Sequence, residues 1–151
     1  MSLNTLEEIA TYIVSNGKGI LAADESNPTC GKRFDSIGVE STEDNRRDYR
    51  EMLFRSSGIL FDETIRQVAK DGTPLVDLIT NQGALPGIKV DKGLQPIGDL
   101  GETVTVGLDG LDERLKEYVS MGAKFTKWRA VIKIGDGMPT DECIDANMKA
   151  L

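Results

Sequence analysis

Asp24 and Ser26 close the stretch Lys18-Gly-Ile-Leu-Ala-Ala-Asp-Glu-Ser26, where a short apolar run meets a carboxylate and then a hydroxyl. A carboxylate at the end of a buried strand costs free energy unless it is paired or used. Two lysines stand in comparable settings, Lys89 in Gly87-Ile-Lys-Val-Asp-Lys-Gly93 and Lys127 in Phe125-Thr-Lys-Trp-Arg-Ala-Val-Ile-Lys-Ile-Gly135. Lysines gathered in one buried pocket lower each other's pKa through like-charge repulsion and desolvation. An adjacent carboxylate can then exchange protons with a carbinolamine. The same three groups would equally make a buried Asp–Lys salt-bridge network, and spacing alone leaves both readings open. With no histidine, and with Cys30 and Cys143 far apart outside any CxxC pattern, zinc sites and His-based triads are excluded. Acid and base work falls to carboxylates, lysines or tyrosines.

Lys32 and Arg33 follow the first strand-end segment closely enough to hold a phosphate, with the arginine giving a bidentate contact. Their alternative is an exposed helix face. Trp128 and Tyr49 read as packing residues, and Asp62 and Glu63 as an N-cap and a first-turn acid. The glycines between Lys92 and Gly110 match neither Walker nor dinucleotide spacing.

These residues need elements to position them. Leu6, Ile9, Ala10, Ile13 and Val14 have helical spacing, with Thr5 and Glu8 as a capping box and Asn16-Gly17 as a stop. Ile20 to Ala23 predicts a short buried strand, Lys32 to Ile37 a brief helix ended by Gly38, and Thr42 to about Arg55 a longer helix with Tyr49, Met52 and Leu53 on one face. The pattern recurs with strands at Ile59 to Phe61, Gly87 to Val90 and Phe125 to Ile134. Helices are expected at Arg66 to Lys70, Pro74 to Ile79, Leu111 to Met121 and Asp141 to Leu151. Lys92 to Gly110 reads as irregular and long enough to be a functional loop. Alternating strands and helices imply parallel βα units, which need crossover helices.

The 151 residues, 39% hydrophobic and 28% charged, suit one soluble globular domain. A net charge of −7 argues against general attraction to nucleic acid or to an anionic membrane, so an anionic ligand must be held locally. No stretch approaches the roughly 20 apolar residues that cross a bilayer, and the expected setting is cytoplasmic.

The segments Ile20-Leu-Ala-Ala-Asp-Glu-Ser26, Asn45-Arg-Arg47, Gly87-Ile-Lys-Val-Asp-Lys-Gly93, Gly101-Glu-Thr103, Gly107-Leu-Asp-Gly110 and Lys127-Trp-Arg129 stand in the order and near-spacing of class I, Schiff-base-forming fructose-bisphosphate aldolases. Any one could arise by chance; the ordered set could not. The chain resembles that family along nearly its whole length. The resemblance implies an α/β fold of the TIM (β/α)8 barrel type, with residues 1–151 as a single domain forming about the first half. It implies catalytic roles for Asp24, Lys89 and Lys127, and sugar-phosphate contacts by Ser26, Thr29, Lys32, Arg33, Arg46 and Arg129. It calls for no metal or cofactor, because the iminium is the electron sink. The implied activity is reversible cleavage of fructose 1,6-bisphosphate to dihydroxyacetone phosphate and glyceraldehyde 3-phosphate, in sugar breakdown or its reversal.

A homo-oligomer is expected, since the family is commonly tetrameric, and a plastid setting fits if a transit peptide has been removed. Family members carry extra residues between the positions of Ser57-Gly58 and Ile59, and their imine-forming lysine lies beyond the position of Leu151. The chain alone is therefore expected to be truncated and inactive. The alternatives are a non-catalytic sugar-phosphate-binding or assembly module, and another lysine-dependent aldolase on the same barrel.

Overall fold

The computed structural model describes Leu3, residues 5–54 and residues 59–151. In chain order its elements are α1 (Leu6–Ile13), α2 (Asn27–Asp35), α3 (Glu43–Phe54), β1 (Ile59–Leu60), α4 (Asp62–Ile65), α5 (Leu75–Asn81), β2 (Gly87–Lys89), β3 (Leu94–Ile97), β4 (Glu102–Thr105), α6 (Leu111–Ser120), β5 (Phe125–Lys127) and α7 (Asp141–Ala150). The expected helix end at Arg55 and the Ser57-Gly58 junction lie outside the described residues. The chain forms two compact units, Met1–Lys89 with Lys116–Thr126, and Val90–Leu115 with Lys127–Leu151.

The first unit is built on a sheet of order β1-β2-β5. β1 and β2 are parallel, with Ile59 opposite Gly87 and Leu60 opposite Ile88. The strand expected at Ile20 to Ala23 is reduced to one parallel bridge between Ala22 and Ile59, and the Ile59 N–H donates to the Leu21 carbonyl at 2.8 Å. Ile20 and Leu21 remain exposed, while Ala23 is buried with Phe54, Leu60, Leu75, Ile79 and Ile88 in the core. Gly87 is dictated by packing. A β-carbon there would lie 2.4 Å from the Phe125 ring, well inside contact distance.

Several helix boundaries differ from expectation for local reasons. α1 starts as read, with the Glu8 N–H donating to Thr5 Oγ1 and the Thr5 N–H to Glu8 Oε2, although none of its residues is buried. α2 begins at Asn27 rather than Lys32, because Pro28 suits a first helical turn, where its missing N–H has no partner to lose. On α3 the buried side chains are Arg50 and Phe54, whereas Met52 is 63% exposed. The helix expected at Arg66 to Lys70 is instead α4, four residues earlier. The chain then turns at Gly72, with φ of +85°, and the Ala69 N–H donates to the Thr73 carbonyl.

In the second unit the supposed loop from Lys92 to Gly110 contains an antiparallel hairpin. β3 and β4 pair from Leu94 opposite Thr105 to Ile97 opposite Glu102. Gly98 and Gly101 serve its turn, both at positive φ. α7 packs on β4 through Cys143 and Asn147, and the Asn147 amide donates to the Thr103 carbonyl at 3.1 Å. The Thr140 hydroxyl caps α7 and donates to Glu102, holding that carboxyl below the ordinary glutamate range. The strand expected to reach Ile134 stops at Lys127. Among the described residues the strands make one three-stranded sheet and one hairpin. No barrel closes, because closure of this type takes about eight strands.

Candidate active site

Within the first unit, Ala22, Ile59 and Gly87 sit side by side. Counting two residues onward puts Asp24, Phe61 and Lys89 at one level, the carboxyl edge of the sheet. Asp24 is buried, at 8% exposure, and Lys89 is half-buried. The edge is where functional groups collect in parallel α/β structures.

Beyond Asp24 the chain enters α2. The Ser26 and Thr29 hydroxyls lie 3.0 Å apart, and Lys32 is exposed on the same helix. Arg33 is not a bare cation. Its guanidinium pairs with Glu25 at 2.5 Å and donates to the Tyr49 hydroxyl at 2.7 Å. Tyr49 is both a packing residue, edge-on to Phe34, and a polar partner.

Behind this edge lies a network that the sequence reading missed. Arg46 donates to both oxygens of Glu63 and to the Ser41 carbonyl. Arg50, 1% exposed, donates to Glu63, to Gln67, to the Glu25 carbonyl and to Asn27 Oδ1. Burial opposes ionisation of Glu63, but hydrogen bonds from Arg46 and Asn27 and the charges of Arg50 and Arg46 outweigh it. Its pKa falls below the ordinary value. Glu63 is thus the anionic hub of three elements rather than only a first-turn acid. The available signal was the i, i+4 spacing of Arg46, Arg50 and Phe54, which places them on one helix face.

In the second unit, Lys127 and Trp128 are half-buried and Arg129 is exposed, with its backbone carbonyl accepting from the Thr105 hydroxyl at 2.6 Å. The Val90 N–H donates to the Lys127 carbonyl. Arg114 ties the turn after β2 to Gly107 by donating to the Val90 and Gly107 carbonyls. A cleft of about 230 Å³ in the first unit, lined by Tyr12, Lys18, Leu21, Gly83, Leu85 and Phe125, lies at the other end of the sheet. Its residues precede or begin the strands, so it is not where Asp24 and Lys89 stand.

The sequence profile described as "Fructose-bisphosphate aldolase class-I" matches residues 5–151. The chain belongs to the class-I fructose-bisphosphate aldolase family. It is 54% identical, over its whole length, to a probable fructose-bisphosphate aldolase class 1 of Xanthomonas axonopodis, and covers 48% of that protein. It is 53% identical to the cytosolic fructose-bisphosphate aldolase 6 of Arabidopsis thaliana, with 94% of this chain and 42% of that protein aligned. A solved aldolase from Plasmodium falciparum, in complex with TRAP and a small-molecule inhibitor, superposes with a TM-score of 0.88 at 49% identity. The superposition covers 91% of this chain and 43% of the other. The chain spans about half the length of the aldolases it matches.

Proposed function

We propose that the chain carries the proton-handling and phosphate-holding residues of a class-I aldolase that cleaves fructose 1,6-bisphosphate reversibly to dihydroxyacetone phosphate and glyceraldehyde 3-phosphate. What supports this reading is that Asp24 follows the Ala22 bridge by two residues and Lys89 ends β2, both toward the carboxyl edge of the sheet, in a chain of this family. In the reaction, a lysine amine condenses with the C2 carbonyl of the sugar. Loss of the C4 hydroxyl proton then breaks the C3–C4 bond, and the electron pair is received by the iminium. Asp24 takes the role of the acid–base group at the carbinolamine and the C4 hydroxyl. Lys89 pairs with Asp24, and Lys127 supports charge near the forming imine. None of the chain's own lysines is assigned to the imine itself.

Ser26, Thr29, Lys32 and Arg33 are assigned to one phosphate, which would exchange with Glu25 for the Arg33 guanidinium, and Arg129 to the substrate beside Lys127. Arg46, the further phosphate contact, would have to exchange its bonds to Glu63 and Ser41 for the ligand. The plant relatives named as cytosolic support a cytosolic setting, and a homo-oligomer completes the reading.

A chimera in which residues 1–151 replace the matching portion of the Xanthomonas relative tests the assignment. It should cleave fructose 1,6-bisphosphate, and Asp24→Asn should lower kcat by about 10²-fold or more, the usual worth of a positioned acid–base group. Near-normal turnover in the variant would remove Asp24 from the mechanism.

A further inference from the structure

Arg50 is 1% exposed and spends its guanidinium on four acceptors from separate segments, a pattern that is not that of a residue kept for stability alone. A buried ion pair is often no more stabilising than apolar side chains of the same volume. What a guanidinium adds is direction, because its planar fork fixes several acceptors at once. The two terminal nitrogens of Arg50 reach two different strand-end segments. One donates to the Glu25 carbonyl at 3.2 Å and to Asn27 Oδ1 at 3.3 Å, immediately after Asp24 and on either side of Ser26. The other donates to Glu63 at 3.1 Å and Gln67 at 3.3 Å, in the segment after β1. Its guanidinium carbon also lies 5.8 Å from the centre of the Phe61 ring, at the level of Asp24 and Lys89.

We infer that Arg50 is a positioning residue: from the buried face of α3 it fixes the Asp24–Asn27 segment and locks it to the segment following β1, so that Asp24 and Ser26 are presented in one arrangement. The geometry stands on its own, while its importance for ligand binding rests on the sugar-phosphate reading above. Glu25 is central to the arrangement. Its carbonyl is held by Arg50 and its carboxylate by Arg33, so one residue connects the buried clamp to the surface cation assigned to phosphate.

Arg50→Lys keeps the positive charge beside Glu63 but cannot span both segments. Asn27→Ala removes one Arg50 acceptor on the Asp24 side, along with Asn27's own hydrogen bond to Glu63, and leaves the Arg50–Glu63 ion pair in place. The test measures amide hydrogen exchange and fructose 1,6-bisphosphate affinity on the 151-residue chain and both variants. Exchange at residues 24–30 should accelerate about tenfold in each variant while α5 and β2 are unchanged, and affinity should fall about tenfold. Unchanged exchange at residues 24–30, or acceleration spread evenly over the first unit, would overturn the positioning role. If Arg50→Lys fails to fold, the Asn27→Ala result decides. Should the parent chain bind no fructose 1,6-bisphosphate, the phosphate assignment fails, and the exchange data still decide the case of Arg50.

Discussion

Glu63 receives charge from two arginines one helical turn apart, and the consequence is a pH dependence with a definite sign. Its folded pKa is depressed below the ordinary 4.5, so the stability it contributes is fully present above about that pH and is lost as pH falls through the lower folded value. Denaturant titrations should show the midpoint declining below about pH 4.5. Glu63→Gln should flatten that decline and cost roughly 3 kcal/mol at pH 7, because Arg50 is then left buried beside a neutral partner. An acid profile identical to that of the parent would show that the carboxylate is not ionised in the way described. At this scale the sequence exposed the groups that resemble reacting ones, Asp24, Lys89 and Lys127, and hid those that hold them. Arg50 and Glu63 look like solvated charges on paper. Only the packing of α3 and α4 shows that they face inward.

Elements were most legible where local chemistry alone decides them, and least where distant contacts do. The Thr5–Glu8 box is a four-residue pattern legible in the sequence, and α1 and α7 both start at the expected positions. Strands depend on partners. The apolar runs at Ile20 and after Lys127 are as strand-like as Ile59-Leu60, yet only the last has neighbours on both sides, Ala22 and β2. The β3–β4 hairpin is hidden in the sequence because its glycines look like loop composition, whereas Gly98 and Gly101 are turn residues. Gly87 carries a further element-scale expectation. Gly87→Ala would force its methyl into the Phe125 ring, so β5 must shift away from β2. A loss of about 1–3 kcal/mol is expected from chemical denaturation, with Phe125→Ala in the same chain restoring part of it. A neutral Gly87→Ala would show that the ring has room to move.

For the molecule as a whole, the family was legible because its signature is spread over six short segments, whereas the arrangement of strands into a closed surface was not, since it is set by how many strands come together. The sheet of the first unit is open, with Ile20 and Leu21 uncovered at one side. Open edges of this kind pair with further strands. Sedimentation velocity over a hundredfold concentration range should therefore show the chain's average mass rising with concentration, and a constant monomer mass would show that the edge is protected. The net charge of −7 will slow that association at low salt and release it as salt screens the repulsion.

The capped but unburied amino-terminal helix has its own consequence. Besides the half-buried Ile9 and Ile13, α1 is tied down by Tyr12, whose phenol donates to the Gly83 carbonyl at 2.6 Å, with Lys18 reaching the same pair. A helix with no fully buried residue opens at a smaller free energy than the core elements. Tyr12 and Ile13 line the cleft at the strand beginnings, so local opening of α1 would widen that hollow, away from the rim where Asp24 and Lys89 stand.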